Sequence, residues 1–106
     1  MIRTTIKAGV CGFTTIIKAD CEDGQTVSLS YESDCPNVVK AAADFGPIDA
    51  YAEIFSKPAA SSTYTILSKY LPHTACPLYS GFFKAIEAAA GLALPRDVSM
   101  VIEPMA

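Results

Sequence analysis

The sequence predicts an α+β fold in which a small antiparallel sheet packs against three to four helices. Two observations predict it. The first third of the chain is rich in β-branched residues that partly alternate with polar ones, whereas later segments carry apolar residues at helical spacing. The 106 residues suffice for one hydrophobic core, and no linker or repeat divides them. We therefore expect a single domain, residues 1–106.

Three strands are predicted in the N-terminal third. The first covers residues 2–8 and ends at Gly9. The second and third, 13–19 and 26–31, are joined by Glu22-Asp23-Gly24-Gln25, and an Asp-Gly pair between two strand patterns is typical of a β-hairpin. The third strand alternates apolar residues with serines, so we expect one face to be buried.

Helices are predicted after the third strand. The strongest prediction is the last helix, because its apolar residues form a broad stripe and Gly91 follows them. Beyond it, Pro95 and the alternating residues 98–102 predict a C-terminal strand, which would complete the sheet. The four predicted helices cover approximately residues 36–45, 48–55, 62–71 and 77–90.

The charge and the N-terminal sequence limit the location and the partners. Eight basic and eleven acidic residues give a net charge of −3, so we expect no nucleic acid or anionic membrane as a partner. The N-terminal sequence lacks the apolar stretch of a signal peptide, and no later run is long enough to span a bilayer. We therefore expect a cytoplasmic location, where cysteines serve as ligands, nucleophiles or packed side chains more often than as disulfides.

Cys35 and Cys76 have the same local chemistry. Each precedes a proline that suits the first position of a helix, so each is predicted to be an N-cap residue. The N–H groups at a helix start, together with the helix dipole, would lower the pKa of such a thiol. The thiolate that this favours is the form that binds metal.

Cys11 and His73 complete the predicted site. Cys11 lies between Gly9 and Gly12, which permit a tight loop, and His73 precedes Cys76 by three residues. We predict that Cys11, Cys35 and Cys76 converge and bind a metal or an iron–sulfur cluster, with His73 as a further ligand or a neighbouring donor. Two alternatives stay open: the cysteines pack as small apolar side chains, and His73 is an ordinary surface residue.

The three cysteine motifs resemble those of the IscU/NifU-type iron–sulfur cluster scaffold proteins, over roughly residues 8–91. The matching stretches are Gly9-Val10-Cys11-Gly12 before the hairpin, Asp34-Cys35 before a helix, and His73-Thr74-Ala75-Cys76 before the late helix. The resemblance implies a fold of that type, a cluster held by the three cysteines with the histidine, and partners that donate or accept clusters or sulfur. The Cys-Gly-Phe, Cys-Pro and His-x-x-Cys-Pro motifs also resemble those of small uncharacterised archaeal and bacterial proteins, which implies no activity.

Three functions are compatible with these motifs. The first is a non-enzymatic protein that binds zinc or an iron–sulfur cluster, as a scaffold or carrier. The second is a sulfur carrier or thiol enzyme with Cys76 or Cys35 as nucleophile and His73 as base, by analogy with SufE-like sulfur acceptors. The third is a structural or interaction domain. The oligomeric state is undecided, since a cluster could be shared between subunits.

The remaining candidates have simpler structural interpretations. Cys21 lies beside the hairpin turn and is expected to be incidental. Glu53 and Glu87 are expected on solvent-facing sides of helices, and the turn carboxylates are expected to be solvated. Three tyrosines could line a pocket or simply pack, namely Tyr64, Tyr70 and Tyr79.

Overall fold

The computed structural model describes residues 1–105 and confirms the α+β class. Its sheet has four strands in the order β1-β2-β3-β4, and each neighbouring pair is antiparallel. The elements in chain order are β1 (Ile2–Lys7), β2 (Thr14–Asp20), β3 (Thr26–Ser33), α1 (Pro36–Ala42), β4 (Ile48–Asp49), α2 (Ala50–Ile54), a short 3₁₀ turn (Pro58–Ala60), α3 (Ser62–Tyr70) and α4 (Leu78–Ala89).

The β2–β3 hairpin forms as the Asp-Gly pair predicts. Gly24 has a φ of 75°, in the left-handed region that favours glycine. The Asp23 carboxylate accepts hydrogen bonds from the backbone N–H groups of Gln25 (2.9 Å) and Thr26 (2.7 Å). Both hydrogen bonds lower the pKa of Asp23, and the one from Thr26 has the larger effect. The Asp23 carboxylate therefore stabilises the hairpin turn.

The helices cover one face of the sheet and enclose the core. α4 packs across β1 and β2, and α1 packs against β3. The opposite face carries exposed polar residues such as Lys18, Ser28 and Ser30. The core contains Ile6, Ile17, Ala19, Val27, Val38, Ile48, Ala50, Leu67, Leu71, Leu78, Phe82, Ala85 and Ile86.

Gly81 fixes how closely α4 approaches β1. It is buried, and a Cβ atom at this position would overlap Cγ1 and Cδ1 of Ile6. Only glycine lets the helix backbone lie directly against this side chain. The contact holds the first turn of α4 beside the last residues of β1.

The segment after α1 differs from the prediction. The helix ends at Ala42 and gives way to turns, and residues 48–49 form β4 instead of opening a helix. β4 pairs with the first two residues of β3, and the N–H of Ala50 donates to the carbonyl of Gln25 (2.8 Å). The Asp49 carboxylate then caps α2 by accepting from Tyr51 and Ala52. Pairing with a distant strand thus overrides the helical pattern of these residues.

The predicted C-terminal strand is wrong. Gly91, with a φ of 74°, ends α4, and within residues 93–105 the structure contains no strand. Residues 98–102, which have the strand pattern, lie exposed and unpaired. All of them except Ser99 are large apolar residues. The fourth strand of the sheet is β4 instead, in which Ile48 pairs with Val27 of β3. In residues 1–105, no helix is long and apolar enough to cross a membrane.

Candidate functional site

The segments that carry Cys11 and Cys35, two of the three predicted ligands, lie at the same end of the sheet. Lys7, the last residue of β1, pairs with Thr14, the first of β2, so the loop with Cys11 protrudes at this end. β3 finishes at the same end, since Ser33 pairs with Thr15 and their side-chain hydroxyls lie 2.7 Å apart. The next N–H group along the chain, that of Asp34, donates to the carbonyl of Thr14 (3.2 Å). This interaction places the start of α1 beside the Cys11 loop.

The third cysteine reaches the same end through α4. Gly81 lies against Ile6, one residue before the end of β1, and Cys76 precedes Gly81 by five residues. We call the combined region the cysteine end, comprising loop 8–13, junction 33–36 and segment 73–77. Cys21 lies at the opposite end, after the last residue of β2. Its sulfur is 3.7 Å from the Asp23 carboxylate at the hairpin turn.

Cys11 is the exposed member of the set. Its loop is closed by hydrogen bonds from the N–H of Ala8 to the carbonyl of Phe13 (3.0 Å) and from Gly12 to Gly9 (2.9 Å). Gly9 and Gly12 have φ values of 86° and 73°, which other residues rarely adopt. The two glycines therefore permit the tight loop that presents Cys11 to solvent.

Cys35 is the N-cap residue of α1, as predicted, with Pro36 at the first helical position. Its backbone N–H donates to the Ser33 hydroxyl at 3.1 Å. Its side chain makes no capping hydrogen bond within the described chain and packs partly buried against the core. The sulfur thus lies at the helix start without a capping role there.

Cys76 differs from the prediction in two respects. It is not the N-cap residue, because α4 begins at Leu78 and Pro77 occupies the cap position. A turn precedes it, in which its N–H donates to the carbonyl of His73 (3.2 Å). Its pKa is raised, contrary to the expected lowering. The largest cause is burial, which outweighs the hydrogen bond from the N–H of Leu78.

The charges of Cys35 and Cys11 also raise the pKa of Cys76. Electrostatic effects between partly exposed groups are screened over about 10 Å, so Cys76 lies near enough to Cys35 and to Cys11 to interact with each. Their sulfurs are nevertheless not assembled as ligands. In residues 1–105, no group of three or more His, Cys, Asp or Glu side chains is arranged to hold a metal ion. His73 is exposed on the turn before Cys76.

A groove of about 300 Å³ is lined mainly by residues of α3 and α4. Two of its walls are Tyr64 and Tyr79, whose rings stack with centroids 4.8 Å apart. The Tyr79 hydroxyl donates to the carbonyl of Leu71 (3.0 Å). Burial raises the pKa of Tyr79, and the charges of Tyr64 and Cys76 add to the effect. Two of the three candidate tyrosines thus line a groove next to the cysteine end.

Tyr70 has a different role from the other two tyrosines. Its hydroxyl donates to the Asp44 carboxylate at 2.6 Å, and this hydrogen bond raises the pKa of Tyr70. It joins the end of α3 to the turn that follows α1. Tyr70 therefore connects two helices rather than lining the groove.

Glu53 is buried, and the prediction that it faces solvent is wrong. Its carboxylate accepts from the Ser61 hydroxyl (2.5 Å) and from the N–H of Thr63 (3.4 Å), at the start of α3. α2 has only five residues and packs against α4. Glu87 is half-buried on the groove wall and forms an ion pair with Lys84 at 3.0 Å. No local sequence signal distinguishes these two glutamates.

Comparison with known proteins gives a family but no function. The model of a family of unknown function (DUF6951) matches residues 2–102. Searches of curated proteins and of solved structures gave no match.

Proposed function

The chain belongs to that family of unknown function, and from its own residues we propose that it binds a metal ion or an iron–sulfur cluster through Cys11, Cys35 and Cys76. The observation that carries the proposal is the placement of three cysteine-bearing segments at one end of the sheet. Cys21, at the opposite end, has no part in it. The order of these motifs along the chain, similar to that of IscU/NifU-type scaffolds, supports the same proposal.

The three thiols would play unequal parts in binding. Cys35 and Cys76 pack partly against the core and are held by α1 and by the turn before α4. Cys11 is exposed on its glycine loop, so it is the member that has to move toward the others. The binding-competent arrangement therefore forms when the loop closes over the two half-buried thiols.

Metal binding at this site would have to displace thiol protons. A bound cation would offset both the burial and the repulsion by Cys35 and Cys11 that raise the pKa of Cys76. Sulfur ligands suit Zn²⁺ and iron–sulfur clusters alike. His73 could supply a fourth ligand only by turning from solvent toward Cys76, and an external ligand would serve equally well. A cytoplasmic carrier of this kind would exchange its cargo with cluster or sulfur donor and acceptor proteins.

Metal content and cysteine substitutions test the proposal together. Protein purified anaerobically is expected to contain zinc, or iron with absorbance in the visible range. Cys11→Ala, Cys35→Ala and Cys76→Ala are each expected to lose most of this metal, whereas Cys21→Ala is the matched control that retains it. Unchanged metal content in the triple variant would exclude these residues as ligands.

The alternative, a sulfur carrier or thiol enzyme, has less support. Burial raises the pKa of Cys76, which disfavours the thiolate that a nucleophile and a metal ligand both need. A nucleophile has no bound cation to offset this effect, and its proposed base His73 is exposed. In metal-free protein, we expect an alkylating reagent to modify exposed Cys11 first. Faster modification of Cys76 near neutral pH, lost in His73→Ala, would favour the alternative over metal binding.

A further inference from the structure

The C-terminal segment is apolar but exposed. Residues 94–105, here called the tail, leave the body of the protein after Leu92, which still packs against the core. Apolar side chains that stand together in solvent mark interaction surfaces, and residues 98–102 also show the alternation of a strand. Six tail side chains are 63–96% exposed, namely Leu94, Val98, Met100, Val101, Ile102 and Met105.

β1 has an open edge that could receive such a strand. Within the described residues it pairs with β2 on one side only, over all six of its residues. Its side chains alternate: those of Ile2, Thr4 and Ile6 are half-buried or buried, whereas Arg3, Thr5 and Lys7 are exposed. A strand edge of this length presents a row of unpaired backbone groups to a second chain.

We propose that two copies of this chain form a dimer by exchanging tails, so that residues 97–103 of each copy pair antiparallel with β1 of the other. The partner is a second copy because each chain carries both an exposed tail with a strand pattern and an open β1 edge that matches it. Twelve extended residues reach about 40 Å, enough to cross to a neighbouring molecule. Each copy supplies one tail and one edge, so the exchange closes on itself with two-fold symmetry.

An antiparallel register with Asp97 opposite Lys7 satisfies both the hydrophobic pattern and the charges. Directly opposed residues share a face of the sheet. If Asp97 lies opposite Lys7, its carboxylate meets an ammonium group on the exposed face. The same register opposes Val98 to Ile6, Met100 to Thr4 and Ile102 to Ile2, all on the face toward the helices.

A shift by one residue reverses these faces. It would turn Asp97 toward the helices beside Ile6 and expose Val98, Met100 and Ile102. The alternation of the tail therefore fixes which face of the sheet each tail residue occupies. Val101 stands on the exposed face in the proposed register and provides a control position.

Molar mass in solution tests the exchange, using light scattering after size-exclusion chromatography. The intact chain is expected at twice the mass of one chain, Val98→Asp and Ile102→Asp at the mass of one chain, and Val101→Asp still at twice that mass. These positions are exposed in the single chain, so unchanged thermal unfolding of its body would show that the variants remain folded. A wild-type monomer at every concentration, or equal loss of the dimer in all three variants, would overturn the proposal.

Amide hydrogen exchange locates the contact. Exchange at residues 98–102 is expected to be at least tenfold slower in the wild-type dimer than in Val98→Asp. A dimer with rapidly exchanging tail amides would overturn tail exchange, and slow exchange in a monomer would show pairing with the chain's own β1 instead. These readouts are independent of metal content, so failure of the dimer leaves the cysteine proposal standing.

Discussion

Gly81 lies where α4 crosses β1, and its substitution by alanine tests the contact that positions Cys76. The added methyl group would overlap Cγ1 and Cδ1 of Ile6, which is itself buried under the helix. Removing the Ile6 side chain beyond Cβ vacates the space that the methyl group would need. Gly81→Ala is therefore expected to destabilise the wild type and to stabilise the Ile6→Ala variant.

The magnitude follows from two opposed effects. Overpacking a core position costs about 1–3 kcal/mol. Alanine in place of glycine inside a helix contributes about 1 kcal/mol of stability. In the wild type we expect Gly81→Ala to lower the free energy of unfolding by about 1 kcal/mol. In Ile6→Ala, itself destabilised by about 2–5 kcal/mol, the same change should raise it by about 1 kcal/mol.

Urea denaturation of the two single variants, the double variant and the wild type measures this cycle. A change of about 1 kcal/mol moves the unfolding midpoint by roughly 0.3–1 M urea for a chain of this size. Ser80→Ala, an exposed change on the same helix, serves as the control and should move the free energy of unfolding by less than about 0.5 kcal/mol. Equal effects of Gly81→Ala in both backgrounds would refute the argument, because the Ile6 contact would then not be what requires glycine.

Four further predictions concern Tyr31, Ser61 and Cys76. The Tyr31 hydroxyl is buried without a hydrogen-bond partner in residues 1–105, so Tyr31→Phe should raise the free energy of unfolding by about 1 kcal/mol, measured in urea against exposed Tyr51→Phe. Burial raises the pKa of Tyr31 above its ordinary 10.0, so above pH 10 the unfolded chain loses this proton more readily than the folded one. The free energy of unfolding should therefore fall more in the wild type than in Tyr31→Phe when urea titrations are repeated at alkaline pH. Ser61→Ala removes both the α3 cap and the hydroxyl donor to buried Glu53, and should cost about 2 kcal/mol in thermal or urea unfolding, whereas exposed Ser62→Ala should cost little. If Cys76 is a ligand, Zn²⁺ affinity measured by chelator competition should fall as the pH is lowered, because the raised pKa of its thiol strengthens proton competition; a pH-independent affinity would contradict thiolate ligation.

Features that depend on neighbouring residues were predictable from the sequence. The hairpin forms because Asp23 and Gly24 supply the turn's acceptor and its left-handed conformation. Cys35 occupies the N-cap position of α1 because Pro36 suits the first helical position. The three N-terminal strands and the late helix were likewise predictable from their periodicity, to within a few residues at their ends.

Features that depend on residues far apart in the sequence were not predictable from it. The buried Glu53 carboxylate lies against the start of α3, and residues 48–49 are a strand because they pair with β3. The Cys76 thiol illustrates the same limit, since the expected helix-start effect is outweighed by burial.

The fold class and the hairpin can be read from the sequence, because local propensity and turn chemistry act over a few positions. The three-dimensional fold is needed to show that Cys11, Cys35 and Cys76 share one end of the sheet and that Cys21 does not. It also decided that the strand pattern of residues 98–102 stays unpaired in a single chain. The physical reason is the same in each case: burial and strand pairing need a partner surface, and the position of that surface is a property of the whole fold.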